Sequence, residues 1–262
     1  MRSPVRQLIF GLLWLAQPTL AQPTLTQPTL TQPTLTQPTL AQSALAETTP
    51  PAAPLAPFEL QFDVARNGKV QGEASVHLRQ NPDQSWEFET FSRGTRGAAA
   101  FIGVKIRETS VFRWQQSTPQ TLRYAYSQKV GFSSRARSFQ VDPEQHWIRG
   151  RDADGPFELR DTVAVVDRHL LTLAIASDLQ AGKSEFRYQV ANKHSISEYR
   201  YEVTGKESIL LGGQPLETVR VERIRSNPGR VTTVWIAPAR GYLPVRTLQV
   251  EPDGETIEMT LR

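Results

Sequence analysis

The chain has 262 residues, 30 of them Lys or Arg and 26 Asp or Glu, for a formal charge of +4. Its 39% hydrophobic and 21% charged content is that of a globular protein, which excludes a fibrous or wholly disordered chain. With no cysteine, disulfide scaffolds, thiol catalysis, Cys-based zinc sites and a lipidated N-terminal cysteine are excluded.

The chain opens with Arg2 and Arg6, followed by an apolar run over 8–16 (LIFGLLWLA). Nine residues are too few to span a bilayer, which takes about 20, and they match the core of a secretory signal. Cleavage is expected near Ala21, and the Ala44-Leu45-Ala46 motif marks a later alternative. Residues 17–46 then repeat a five-residue unit of the type QPTLx. Its prolines oppose helix and sheet, and the period matches no packed repeat. Residues 22–57 are therefore read as a disordered linker, and 58–262 as one folded domain outside the cytoplasm, in the periplasm.

Arg2 and Arg6 are the only charges before Glu47, which leaves 28 basic against 26 acidic residues beyond. Nucleic acid, which needs a concentrated basic face, is not expected as a partner. No later segment is apolar enough to span a membrane.

Within the domain, Phe58, Leu60, Phe62 and Val64 alternate with polar residues, Asn67-Gly68 follows, and alternation resumes from Val70 to Leu78. That is a β-hairpin. Further strands are predicted at 86–91, 105–114, 121–129, 134–141, 147–151 and 157–159. After a helix come 185–191, 196–203, 216–224, 232–236, 244–250 and 256–261. The helix is predicted at 167–181 from the spacing of Leu170, Leu171, Ala174, Ile175 and Leu179, with Asp167 as N-cap and Gly182 past its end. A short helical turn is expected at 98–102. The fold class is mainly β: one strongly curved antiparallel sheet or incomplete barrel, with an amphipathic helix packed over one face or opening. A two-sheet sandwich is the alternative.

Catalytic motifs are absent. There is no G-x-S-x-G and no S-x-x-K. His77, His146, His169 and His194 stand apart without metal-ligand spacing and read as solvent-facing or capping side chains. Asp161 and Asp167 flank an apolar run, and the simpler reading of Asp167 is a helix cap. No catalytic residue, metal or cofactor is expected. Aromatic residues in strands are the richer signal. Phe88, Trp114, Tyr124, Tyr126, Tyr188, Tyr201 and Trp235 are candidate lining residues of a concave pocket, and core packing accounts for them equally well. Arg223 and Arg225, two apart on one strand, share a face and are a candidate basic rim for an anionic ligand.

The C-terminal third carries Val203-Thr204-Gly205, Glu207, Gly212, Leu216, Thr218 and Val219. Trp235-Ile236-Ala237-Pro238, Leu243-Pro244-Val245 and Gly254 follow. With the Asp167 helix and the opening hairpin, this pattern resembles the exported bacterial family known as domain of unknown function 3108, over about 58–261. The resemblance implies a periplasmic, mainly antiparallel β domain and no transferable catalytic residues. At the fold level the rhythm also resembles lipoprotein carriers, incomplete barrels that hold acyl chains beneath a helical lid. The expected function is non-catalytic binding of an apolar or amphiphilic envelope component such as a lipid. The alternative is an assembly module that binds an envelope protein by its sheet edge. A hydrolase with a noncontiguous site ranks third.

Overall fold

The structure is a computed structural model that describes residues 54–262, apart from 161, 163, 193 and 226–228. The expected leader and repeat segment and Asp161 lie outside the described residues.

The strands are β1 (Phe58–Arg66), β2 (Lys69–Gln80), β3 (Trp86–Gly94), β4 (Lys105–Gln115) and β5 (Thr118–Val130). Next come β6 (Ser133–Asp142), β7 (Trp147–Asp152), β8 (Gly155–Leu159) and β9 (Val166–Asp167). The remainder are β10 (Glu185–Asn192), β11 (Ser195–Leu211), β12 (Gln214–Ile224), β13 (Val231–Ala237), β14 (Leu243–Val250) and β15 (Thr256–Leu261). Among the described residues two α-helices interrupt them, α1 (Gly97–Phe101) and α2 (Leu171–Gln180). All fifteen strands form one sheet in the order β8-β7-β6-β5-β4-β3-β2-β1-β15-β14-β13-β12-β11-β10-β9. Every pairing is antiparallel except β9 with β10. Short hairpins make such a meander, because each strand meets its predecessor first. The opening hairpin turns at Asn67 (φ 50°) and Gly68 (φ 72°), the left-handed pair its sequence demands.

The sheet curls without closing. Strand β8 and strand β9 are its two edges, yet the Thr121 amide of β5 donates to the Val165 carbonyl just before β9. Near the other edge, His194, in the β10–β11 turn, approaches Asp152 of β7 at 3.3 Å. The mainly β, incomplete-barrel expectation is what the chain adopts.

Two expectations need correction. The helix is shorter than predicted, and it is not amphipathic: eight of its residues, from Leu171 to Leu179, are buried, with only Thr172 and Gln180 outside that set. It is a plug inside the curl, not a lid over it. Ser177 Oγ donates to the Ser117 carbonyl in the β4–β5 turn, and Tyr188 Oη of β10 donates to Asp178. Strand β11 runs to Leu211, eight residues beyond its predicted end, because the ladder shifts register between Val203 and Gly205 and then continues.

Candidate functional site

Cross-strand partners point to the same face of a sheet, so the register defines which side chains look inward. Tyr124 pairs with Ser110, Ser110 with Phe88, Phe88 with Leu78, and Leu78 with Phe58. From Phe62 the same face continues through Leu261 and Met259 to Thr247, Val234 and Val221. It reaches Arg223, which pairs with Tyr201, and Tyr201 pairs with Phe186. Helix α2 lies against this inner face.

Six of the seven aromatic candidates, Phe88, Trp114, Tyr124, Tyr126, Tyr188 and Tyr201, share it. Trp235 does not. It pairs with Arg220 and Arg246, one residue out of phase with Val234, and lies on the outer face. There its Nε1 donates to Glu207 and the Arg246 guanidinium stacks 4.6 Å above its ring. Residues Thr232–Ala237 are buried on both faces, so alternation could not tell the sides apart. Arg223 and Arg225 do lie on the inner face. The Arg223 guanidinium stacks 3.4 Å over the Tyr199 ring. Burial lowers Arg223 to about 10 and also lowers Arg225.

At the N-terminus of α2 a polar cluster joins the helix to the sheet. Asp167 is fully buried. Its Oδ1 accepts from the His169 and Leu170 amides and from Ser110 Oγ at 2.9 Å, and its Oδ2 accepts from Thr121 Oγ1 at 3.0 Å. It caps the turn ahead of α2 and not the helix itself, whose N-cap is Leu170 and carries no side-chain cap. Burial pushes its carboxyl up to about 7.

The His169 ring lies between Thr90 Oγ1 (2.8 Å from Nε2) and Ser110 Oγ (3.0 Å from Nδ1), stacked on Phe88 at 4.4 Å. This corrects the solvent-facing reading of His169. Burial pulls it down to about 4. Beside it, Arg168 Nε donates to Glu108 Oε1 at 2.9 Å and to Tyr124 Oη at 2.8 Å. Burial, the largest single influence, would raise Glu108, but the charges of Arg168 and His169 and the hydrogen bonds from Tyr124 and Arg168 together hold the carboxyl below its usual range. Burial pushes the Tyr124 phenol well up, and Glu108 adds to the shift.

Ser110, His169 and Asp167 together bring to mind a hydrolytic triad, but the wiring is wrong for one. Ser110 Oγ donates to Asp167 Oδ1, and in that arrangement the proton between Ser110 Oγ and His169 Nδ1 sits on the imidazole. A histidine protonated toward the serine cannot act as its base, and Asp167 supports the serine instead of the imidazole. Ser110 is also fully buried.

Beyond α2, toward the β5–β6 turn and the other strand ends of that side, the inner face turns polar. Tyr126 pairs with Arg137, and Gln128 pairs with Arg135. The Arg168 guanidinium sits 4.9 Å over the Tyr126 ring. Burial and the charge of Arg168 both lower Arg137. Four inward polar atoms here are buried without a hydrogen-bond partner among the described residues: Tyr126 Oη, Arg137 Nε, Asn192 Oδ1 and Thr232 Oγ1. They come from β5, β6, β10 and β13, on both arms of the curl. The sequence singles out Tyr126, but nothing in it points to Asn192 or Thr232. Arg137 did carry a signal, the Arg135/Arg137 spacing that also picked out Arg223 and Arg225.

Two grooves, of about 380 Å³ and 350 Å³, lie on the outer face. The first is lined by Arg123, Ser138, Gln140, Arg149 and Arg151, the second by Phe91, Lys105, Arg107 and Lys129. Asp152, Asp154 and His194 bring three potential ligand atoms within 4.8 Å of one another, with His194 and Asp154 exposed. The β8 edge is five residues long and contains Pro156, which blunts strand addition. No helix among the described residues is long and apolar enough to cross a membrane.

A family model described as "Protein of unknown function (DUF3108)" matches residues 59–262. No curated protein matches the chain. A solved structure described as a beta-barrel-like protein of DUF1849 from Brucella abortus is similar at 8% identity and a TM-score of 0.50. The match covers 80% of this chain and 98% of that one. The complex of MucB with MucA(peri) matches at 10% identity over 78% of this chain and 87% of that one. Its TM-score of 0.16 is too low to indicate a shared fold.

Proposed function

The chain belongs to the DUF3108 family, and from that premise we propose that it is an exported, non-catalytic protein that binds an anionic amphiphile of the cell envelope. The observation that carries the reading is the set of buried, unpartnered polar atoms on the inner face: Tyr126 Oη, Arg137 Nε, Asn192 Oδ1 and Thr232 Oγ1. Folded proteins pair more than nine-tenths of such atoms, so four on the inner face, one from each of four strands, favour an occupant there. The donors Tyr126 and Arg137, with the Arg168 charge beside them, favour an acidic headgroup. The aromatic rings of the same face suit an apolar tail. Helix α2 fills the opposite half, which directs the ligand to the side of its N-terminus. Export rests on Arg2, Arg6 and the apolar run 8–16.

The test is titration of the purified protein with a dansyl-labelled fatty acid, and with the matching fatty alcohol as competitor. The fatty acid binds, the alcohol competes poorly, and Arg137→Gln weakens binding by about tenfold, the worth of one charge-assisted hydrogen bond. Equal binding of acid and alcohol, unchanged in Arg137→Gln, contradicts the reading.

A further inference from the structure

We propose that the rim at the α1 end of the sheet docks on an anionic lipid surface, through Phe101 and Phe132 as membrane-inserting side chains. The proposal stands apart from what the inner face holds.

Among the described residues five large apolar side chains are exposed, and Phe101 (92%) and Phe132 (110%) are the most exposed of them. Phe101 ends α1 in the β3–β4 connection, and Phe132 occupies the β5–β6 turn. The Gly131 amide donates to the Ile102 carbonyl at 2.7 Å, which ties the two turns into one tip. Ile224 and Val231, two more of the five, flank the β12–β13 loop at the same end of the strands; only Leu210 lies at the other. Folding gains nothing from phenylalanines held in water on two adjoining turns.

Charge identifies the occupant. Residues 90–107 and 109–141, which build the tip and the strands behind it, contain no Asp or Glu and nine Lys or Arg. Arg96, Lys105, Lys129 and Arg135 are exposed around the tip. Lys105 and Lys129 are direct cross-strand partners, an arrangement that costs stability in the free protein. Behind the tip lies the 350 Å³ groove with Phe91, Lys105, Arg107 and Lys129 in its wall. Arg107 is engaged by Glu89, whereas neither lysine forms an ion pair among the described residues. Apolar side chains at a tip with a basic collar are what an interface of acyl chains beneath anionic headgroups recruits. A polar or acidic protein partner would leave the phenylalanines unused.

The absence of cysteine allows a single-site label. Ser133→Cys, beside Phe132, and Leu210→Cys, at the opposite end, are each labelled with an environment-sensitive nitrobenzoxadiazole dye in the full chain. Vesicles of phosphatidylcholine, with and without phosphatidylglycerol, are then added. The expected result is co-sedimentation with the phosphatidylglycerol vesicles alone. The Ser133→Cys label brightens and shifts to the blue, and the Leu210→Cys label does not. The double variant Phe101→Ser/Phe132→Ser lowers vesicle affinity by about tenfold with an unchanged unfolding curve. Lys105→Glu/Lys129→Glu removes the preference for phosphatidylglycerol. Three outcomes overturn the proposal: no vesicle binding at low salt, binding with the Leu210→Cys label shifted instead, or self-association through the tip without vesicle binding, which would make it a contact between copies.

Discussion

Thr121 and Asp167 hold each other by two hydrogen bonds: Thr121 Oγ1 donates to Asp167 Oδ2 at 3.0 Å and accepts from the Asp167 amide at 2.7 Å. The two residues lie 46 apart in sequence, on β5 and on the far edge strand β9. This pair, with the Thr121 amide bonded to Val165, fastens one arm of the curled sheet to the other where no strand ladder does so. It also seats the N-terminus of α2.

Asp167→Ala therefore strands two hydroxyls and two amides at once. It is expected to cost about 3–5 kcal/mol in urea unfolding, since each buried orphan costs roughly 1–3 kcal/mol. Asp167→Asn keeps an acceptor and loses less. A loss under about 1 kcal/mol for Asp167→Ala would mean the clasp contributes little.

Asp167 and His169 make opposite demands on pH. Asp167 rises from 3.8 to about 7 on folding, so the folded state holds its proton longer and stability falls as pH rises through that window. His169 drops from 6.5 to about 4, so the unfolded state binds the proton first and stability rises with pH between those values. Over pH 4 to 6.5 the two slopes offset each other in the native protein. In Asp167→Asn only the histidine remains, and stability climbs with pH, by at most about 1.4 kcal/mol per unit. In His169→Gln only the aspartate remains, and stability declines from pH 4 to 7. Thermal melts across this range check it; parallel profiles for the two variants would refute the assignment. Glu108, held low by Arg168 against its burial, adds a loss of stability only under more acidic conditions.

The Arg168–Glu108 pair is nearly inaccessible, with side chains 7% and 8% exposed. Glu108→Gln leaves the arginine charge uncompensated and is expected to cost about 3–5 kcal/mol, whereas Glu108→Leu with Arg168→Met comes close to the native stability. Denaturant midpoints of the three proteins decide. A double variant as unstable as Glu108→Gln would show that the pair contributes through more than its own charges.

These clasp residues explain what was legible in the sequence and what was not. Strands that bury one face declare themselves by alternation, as at Phe62 and Val64, and the Asn67-Gly68 turn declares its hairpin. The plug-like burial of α2 was also written in the chain, since Leu171–Gln180 carries a single charged residue, Asp178; the period alone suggested a lid. His169 gave no local signal. Its partners Thr90 and Ser110 lie 79 and 59 residues away, and only the curl of the sheet brings them together. Trp235 gives no sign of its outward face in the sequence, because β13 is covered on both sides.

Gly94 is a point where the chain has no room. A Cβ there would meet the Ala99 carbonyl oxygen at 2.4 Å and the Ala99 Cβ at 2.8 Å. Gly94→Ala must push α1 off β3, with an expected cost of about 1–3 kcal/mol. Hydrogen exchange should quicken at Ile102 and Gly103, whose amides bond back into α1. Unchanged exchange there would mean that α1 does not depend on this close approach.

The leader makes its own prediction. Expressed from its first residue in a Gram-negative cell, the protein should appear in the periplasmic fraction with an N-terminus at Gln22, or at Glu47 if the later site is used. A mature chain that begins at Met1 in the cytosol would rule out export.

The most direct measurement of the central claim is native mass spectrometry of the protein purified from envelope-containing lysate without detergent, followed by solvent extraction. The expected result is a mass above that of the polypeptide, an acidic amphiphile in the extract, and loss of that adduct in Arg137→Gln. A bare polypeptide mass that stays bare after incubation with phosphatidylglycerol and fatty acids would contradict it.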